Sequence, residues 1–292
     1  MSPHVAIVTD STAYLRPEAV RRHSISVVPL TVVIDDEAFE EGTEISAPAV
    51  ARALQRRRPV TTSRPSPGEF AAVYEAVADS GAESIVSLHL SGEFSGTYDA
   101  ALLAAKEAPV PVRVVDTGMV AMALGFTVLA AARAAEAGGT AEDVVAAAEK
   151  RAYDTSAYFY VDTLDYLRRG GRIGAAQALF GSALAVKPLL RLADGRIELL
   201  EKVRTASRAI TRLEEIVAGQ VEQIGQAGDR GEGRRKVSLA VHHLASAERA
   251  AALADRLRER LPDLDELVVS EVGAVIGAHA GPGLLGVVVS PH

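Results

Sequence analysis

The sequence predicts an α/β protein of two α/β domains: an N-terminal one on a mainly parallel, doubly wound sheet, and a C-terminal one on a mixed or antiparallel sheet with helices. Three observations point there. Through the first half, short apolar runs alternate with helical patterns, the order that strand–helix–strand units impose. Past Arg151 the texture changes, with four of the seven tyrosines between Ala152 and Tyr166. Two strand candidates then flank the turn Ala-Asp-Gly at Ala193–Gly195, as a hairpin requires. A boundary near residue 155 divides the chain into 1–155 and 156–292.

Val5–Asp10 (VAIVTD) reads as a buried strand, and Ile25–Asp35 (ISVVPLTVVID) as a second β-branched run. Helical patterns occupy Ala47–Arg57 and begin again at Pro67. There Ser66 is the N-cap, Pro67 the first helical residue and Glu69 the reciprocal cap. Ser84–Leu90 is a strand, Ser95–Ala108 a helix and Val112–Thr117 a strand, and two Ala-rich helices fill much of Met119–Arg151. In the second half a short helix after Gly174 precedes strands at Ala185–Leu192 and Arg196–Arg204. A helix starts near Ala206, and Gly225–Lys236 is a polar, glycine-rich loop. Strand, helix and strand close the pattern at Val237–Leu244, Ala245–Arg260 and Glu266–Val272.

Composition narrows the function classes. The 292 residues carry a formal charge of -7 and 4% aromatics, which argues against a broad nucleic-acid surface or a base-stacking platform. There is no cysteine, so disulfides, thiolate metal sites and thiol nucleophiles are absent. No apolar run is long enough to span a bilayer and no targeting segment opens the chain, so the expected location is the cytoplasm.

Four polar stretches are candidate sites. In Gly92–Ala101 (GEFSGTYDAA), Ser95 reads as a helix N-cap, and the same geometry, with Gly96 and Thr97, can hold a carboxylate or phosphate. The stretch lacks the Gly-x-Ser-x-Gly elbow of a serine hydrolase, and His89 is near Ser95 only in sequence. Thr61–Phe70 supplies Thr62, Ser63 and Arg64 beside the second helix start. Asp162–Gly174 (DTLDYLRRGGRIG) gathers Arg168, Arg169 and Arg172 at a Gly-Gly turn, either a solvated basic turn or a docking patch for an acidic partner. Gly277–Gly286 (GAHAGPGLLG) reads as a glycine-rich loop bearing His279. No metal-ligand spacing occurs, and His242 and His243, adjacent on a strand, point to opposite faces.

Taken together, IVTDST (Ile7–Thr12), TSRPSPGEF (Thr62–Phe70), SGTYDAA (Ser95–Ala101), VVDT (Val114–Thr117), DTLDYLRRGGRIG (Asp162–Gly174), VKPLL (Val186–Leu190), KVRT (Lys202–Thr205) and HAGPG (His279–Gly283) resemble the DegV family. The resemblance implies a lipid-binding protein and not an enzyme: a long-chain fatty acid lies in an apolar tunnel between the domains, with no other cofactor and no metal. Its carboxylate is presented to a separate ATP-dependent fatty acid kinase subunit, which makes acyl phosphate for phospholipid synthesis. Carried over by motif, Thr62 and Ser95 bond the carboxylate and Arg204 and His279 complete the network. Ser63, Arg64, Gly96 and Thr97 support it, and Arg172, with Arg168 and Arg169, engages the kinase. Ala- and Val-rich helices, with Phe180–Val186, have room to line such a tube, where each buried methylene favours binding by about 0.8 kcal/mol, and the same composition equally suits helices that are simply well packed.

The chain departs from the family pattern at Arg64, where glutamine is usual, at Glu93 in a segment that is commonly serine-rich, and at Asp116–Thr117 in place of Asp-Ser. Two other readings compete. One is an enzyme on a small phosphorylated or carboxylated metabolite, with His279 as acid or base. The other is a scaffold that docks an acidic partner at Arg168–Arg172.

Overall fold

The computed structural model describes residues 4–174, 176, 187–228 and 235–292. Phe180–Val186, the expected helix after Gly174 and the middle of Gly225–Lys236 lie outside them. Contacts divide the chain into two units, Met1–Ile45 with Thr62–Tyr153, and Ser46–Thr61 with Asp154–His292.

The first unit begins β1 (Val5–Asp10), α1 (Pro17–Arg22), β2 (Ser26–Val28), β3 (Thr31–Ile34) and β4 (Glu37–Glu40). The chain then forms α2 (Ala47–Gln55), which belongs to the second unit, and returns along β5 (Val60–Ser63). There follow α3 (Pro67–Asp79), β6 (Ser84–His89), α4 (Thr97–Ala105), β7 (Val112–Asp116), α5 (Met122–Glu136) and α6 (Ala141–Asp154). The run Ile25–Asp35 is two strands rather than one. β2 pairs parallel with β1, whereas β3 pairs antiparallel with β4, and the break falls at Pro29, which has no amide to donate to a ladder.

The main sheet has the order β2-β1-β6-β7, all parallel. It is buried on both faces, as parallel sheets are. On β6, Val86 and Leu88 join Leu124 and Val128 of α5 in one cluster, while Ile85 faces Phe70, Tyr74 and Ala101 from α3 and α4 in another. Strict alternation along the strand separates the two sets. The start of α3 matches the reciprocal cap: Ser66 Oγ accepts from the Glu69 amide at 3.3 Å, and Glu69 accepts from the Ser66 amide at 2.7 Å.

The second unit continues with β8 (Ser156–Tyr160), α7 (Asp165–Arg169), β9 (Lys187–Ala193), β10 (Arg196–Val203), α8 (Ala206–Gly228), β11 (Val237–His243), α9 (Ala247–Arg260), β12 (Glu266–Glu271), α10 (Ala274–Ala280) and β13 (Leu285–Pro291). Its sheet has the order β10-β9-β8-β13-β11-β12 and is mixed: β11 and β12 are parallel, and the other neighbours are antiparallel. Ala209, Leu213 and Val217 recur every four residues along α8 and join Leu253 and Leu257 of α9 against Leu239, Val241, Leu285 and Val287. Two expectations need correction. α8 runs through Gly228, so the glycine-rich loop does not begin at Gly225. His279 lies on α10, where a loop is expected from its glycines.

Candidate functional site

In an open parallel sheet the polar crevice forms beyond the C-terminal ends of the strands, where the strand order reverses. Here that point lies between β1 and β6, whose last residues are Asp10 and His89. Both are fully buried. The Asp10 carboxylate accepts from the Thr12 amide at 3.0 Å and its hydroxyl at 2.5 Å through Oδ1. Oδ2 faces the Leu90 amide at 3.0 Å and His89 Nδ1 at 3.1 Å. The other ring nitrogen, His89 Nε2, is 2.7 Å from Ser87 Oγ, which in turn accepts from Tyr74 Oη at 2.9 Å. Burial pushes the Tyr74 phenol up to about 12, so it keeps its proton and donates. A carboxylate oxygen accepts, so the Nδ1 side of the ring is the donor toward Asp10, and Ser87 Oγ pairs with Nε2 at the other end. Both His89 nitrogens are engaged in the core, and the ring sits edge-on to Phe70 at 5.0 Å. It is no base for Ser95.

After β6 the chain turns at once into the SGEFSG loop. The Ser91 amide bonds the Met119 carbonyl at 2.9 Å, the Gly92 amide bonds Asp116 Oδ2 at 3.1 Å, and the Phe94 and Ser95 amides fold back on the Ser91 carbonyl at 3.0 and 3.3 Å. The N-cap of α4 is Gly96, so the expectation that Ser95 caps this helix is corrected. Ser95 stands one residue earlier, and its Oγ pairs with Thr97 Oγ1 at 2.8 Å. Gly96 has ordinary backbone angles (φ -75°), yet a Cβ there would overlap the Arg64 guanidinium. Arg64 therefore lies across the start of α4, and its guanidinium makes no hydrogen bond or ion pair among the described residues. Thr62 is half-buried in β5 and Ser63 Oγ reaches the Arg64 carbonyl at 3.3 Å. The first unit thus gathers a hydroxyl pair, a helix start and a guanidinium, a set suited to an oxyanion.

In the second unit, two motifs interlock through their glycines. A Cβ on Gly170 would overlap the His279 ring, one on Gly281 would overlap Tyr166, and one on Gly283 would overlap the Asp162 carboxylate. Each motif therefore yields space to the other's side chain. Gly281 and Gly283 also adopt φ of +75° and +92°, where a side chain is strained in any case. Arg172 Nη1 bonds the Gly170 carbonyl. Burial, with the Arg172 charge adding to it, pushes the His279 imidazole down to about 4, so His279 is neutral at pH 7. Arg168 and Arg169 are in the last turn of α7, and the Arg169 guanidinium stacks on Tyr166 at 5.3 Å. Arg204 follows β10, exposed and without an ion pair or hydrogen bond among the described residues.

The family model described as "Uncharacterised protein, DegV family" matches residues 4–292. A DegV domain-containing protein of Streptomyces coelicolor is 71% identical over 290 residues, 99% of each chain. The chain belongs to the DegV family. Two solved DegV structures share its fold from end to end at 34% identity. One, from Thermus thermophilus and described as fatty acid binding, has a TM-score of 0.90 and covers 99% of this chain and 100% of its own. The other, described as DegV, a fatty acid binding protein from Bacillus subtilis, has a TM-score of 0.89 and covers 100% of each.

Within this DegV fold the expected site residues fall into two sets. Thr62, Ser63, Arg64, Ser95, Gly96 and Thr97 are in the first unit; Arg168, Arg169, Arg172, Arg204 and His279 are in the second. What residue-by-residue reading misses is the support behind them: Asp10, Ser87 and Tyr74 in one unit, Asp162 and Tyr166 in the other. Asp162 is held by Tyr160 Oη at 2.5 Å through Oδ1, and its carbonyl by Lys187 Nζ at 2.8 Å. Among the described residues no three His, Cys, Asp or Glu side chains converge as metal ligands, and no helix is long and apolar enough to cross a membrane.

Proposed function

We propose that this protein binds one long-chain fatty acid in the tunnel that the family resemblance implies and presents its carboxylate, in the cytoplasm, to a separate ATP-dependent fatty acid kinase subunit for acyl-phosphate formation. Thr62 and Ser95 bond the carboxylate, Arg204 and His279 complete the polar network, and Ser63, Arg64, Gly96 and Thr97 support it. Arg172, with Arg168 and Arg169, meets the kinase. The protein itself carries out no chemistry. What carries this reading is the end-to-end likeness to two proteins described as fatty acid binding. The hydroxyl pair at Ser95 and Thr97 supports it, because a carboxylate leaving water must regain hydrogen bonds. A neutral His279 supports it too: an imidazole held near 4 is a weak base at neutral pH and suits a hydrogen-bonding role better than an acid–base one.

The test is native mass spectrometry of the purified protein, then organic extraction and identification of the bound molecule. A one-to-one mass excess that resolves into fatty acid is expected, with Ser95→Ala retaining less of it. An empty protein that also takes up no added fatty acid overturns the reading.

A further inference from the structure

The polar chain between β1 and β6 has no part in the proposed contacts with ligand, yet it holds a fully buried carboxylate with four hydrogen-bonding neighbours. A carboxylate needs several donors to be buried without large cost, and Asp10 has four, two from Thr12, one from Leu90 and one from His89. Those donors come from both sides of the switch point. Thr12 is in the turn after β1, whereas His89 and Leu90 are where β6 gives way to the loop bearing Ser95. The loop has a second tether, Asp116 Oδ2 on the Gly92 amide at 3.1 Å, with Asp116 Oδ1 on the Gly118 amide at 2.9 Å. Between Leu90 and Gly92 the Ser91 amide is tied to the Met119 carbonyl, and the Ser91 carbonyl then receives the Phe94 and Ser95 amides. The route from Asp10 to Ser95 is therefore short and continuously bonded.

We infer that Asp10 is a positioning residue for the head-group site: its buried carboxylate fixes the exit of β6, and through it the turn that points Ser95 at the ligand. The inference rests on the proposed function. Asp10 does not touch the ligand; its contribution is the shape of the loop. His89 completes the arrangement. Tyr74 and Ser87 hold its far nitrogen, and Nδ1 faces Asp10 Oδ2 beside the Leu90 amide.

The experiment compares affinity for a fatty acid with affinity for the alcohol of equal chain length, measured by calorimetry. Both ligands bury the same tail, so their ratio isolates the head-group. In Asp10→Asn, where an amide faces donors already in place, the acid-to-alcohol ratio is expected to fall about tenfold while alcohol affinity stays within about twofold. His89→Leu, which removes one donor, is expected to lower the ratio. His89→Asn, whose amide can still donate to Asp10, is expected to restore it. General loosening of the fold would weaken both ligands together and would not be rescued by asparagine. An unchanged ratio in Asp10→Asn overturns the inference. Should that variant not unfold cooperatively, equal ratios in His89→Leu and His89→Asn overturn it instead. If the wild type takes up neither ligand or does not prefer the acid, the proposed function fails and the positioning role falls with it.

Discussion

The His279 imidazole occupies the space that a side chain on Gly170 would need, which ties the Gly-Gly-Arg turn to the helix bearing the histidine. Gly170 has φ -75° and ψ -9°, angles open to any residue, so glycine here serves the neighbour and not the backbone. Gly170→Ala should therefore destabilise the second unit by about 1–3 kcal/mol, the usual cost of overpacking, even though alanine is the better helix former. It should also push the imidazole toward water. Urea unfolding of the variant, alongside a proton NMR titration of His279, measures both effects. An unchanged midpoint in each would show that the ring has room to spare.

His279 also sets a pH dependence. Its folded pKa, about 4, lies below the ordinary 6.5 because burial and the Arg172 charge disfavour the imidazolium. Between those values the unfolded chain holds a proton that the native state lacks, so acid favours unfolding. Stability from this group is complete above pH 6.5, declines as pH falls toward 4 and is level below. The ring keeps some exposure, so the size is on the order of 1–2 kcal/mol. His242, pushed down to about 4 by its burial, and His243, lowered for the same reason, add in the same direction. His279→Gln should accordingly flatten part of the decline between pH 6.5 and 4. If its stability difference from wild type is the same at pH 7 and pH 4.5, the imidazole does not titrate as the structure requires.

The buried chain from Tyr74 to Asp10 is expected to be coupled. Ser87→Ala leaves the Tyr74 hydroxyl and His89 Nε2 without their shared partner in a fully buried site, at a cost of about 2–4 kcal/mol. Tyr74→Phe removes one of the two orphans. The double variant should thus lose less than the sum of the single losses, by about 1 kcal/mol or more. Strict additivity in denaturant unfolding would mean that each group finds another partner.

Much of the fold is legible in the sequence because local signals coincide with tertiary ones. Val5–Asp10 and Ser84–His89 are apolar runs closed by polar turns, and Ser66-Pro67-x-Glu69 encodes its own helix start. The place of β13 is not legible. Its Val287–Val289 run is β-branched and closed by Ser-Pro, which marks a strand, but its place between β8 and β11 is set only by the pairing of segments distant in sequence. α10 is hidden for a related reason: glycine at 277 reads as a loop, but it is there because a side chain would press on Leu244. Of the site, the residues in short motifs can be found, whereas Asp10 and His89 are 79 residues apart and meet only through the pairing of β1 with β6. The membership of α2 in the second unit is equally non-local, since the contacts that decide it include those with α10.

Arg64 and Gly96 lead to a last expectation. Because Gly96 has a negative φ of -75° and what overlies it is a flexible side chain, Gly96→Ala should move the guanidinium off the start of α4 and leave the backbone in place. Replacing glycine by alanine at an N-cap costs on the order of 1 kcal/mol at most, so the unfolding midpoint should shift little. Affinity for fatty acid is where the change should appear. An exposed guanidinium beside a carboxylate contributes about 0.2–1 kcal/mol, so Arg64→Gln should weaken binding by a factor of about 1.4 to five at low ionic strength and by less at high salt. If Gly96→Ala acts by displacing that charge, it should weaken binding similarly on the native background and have little effect on the Arg64→Gln background. Calorimetric titrations of the four proteins supply the cycle. An equal effect of Gly96→Ala on both backgrounds would separate the helix start from the arginine and place its contribution in the amides alone.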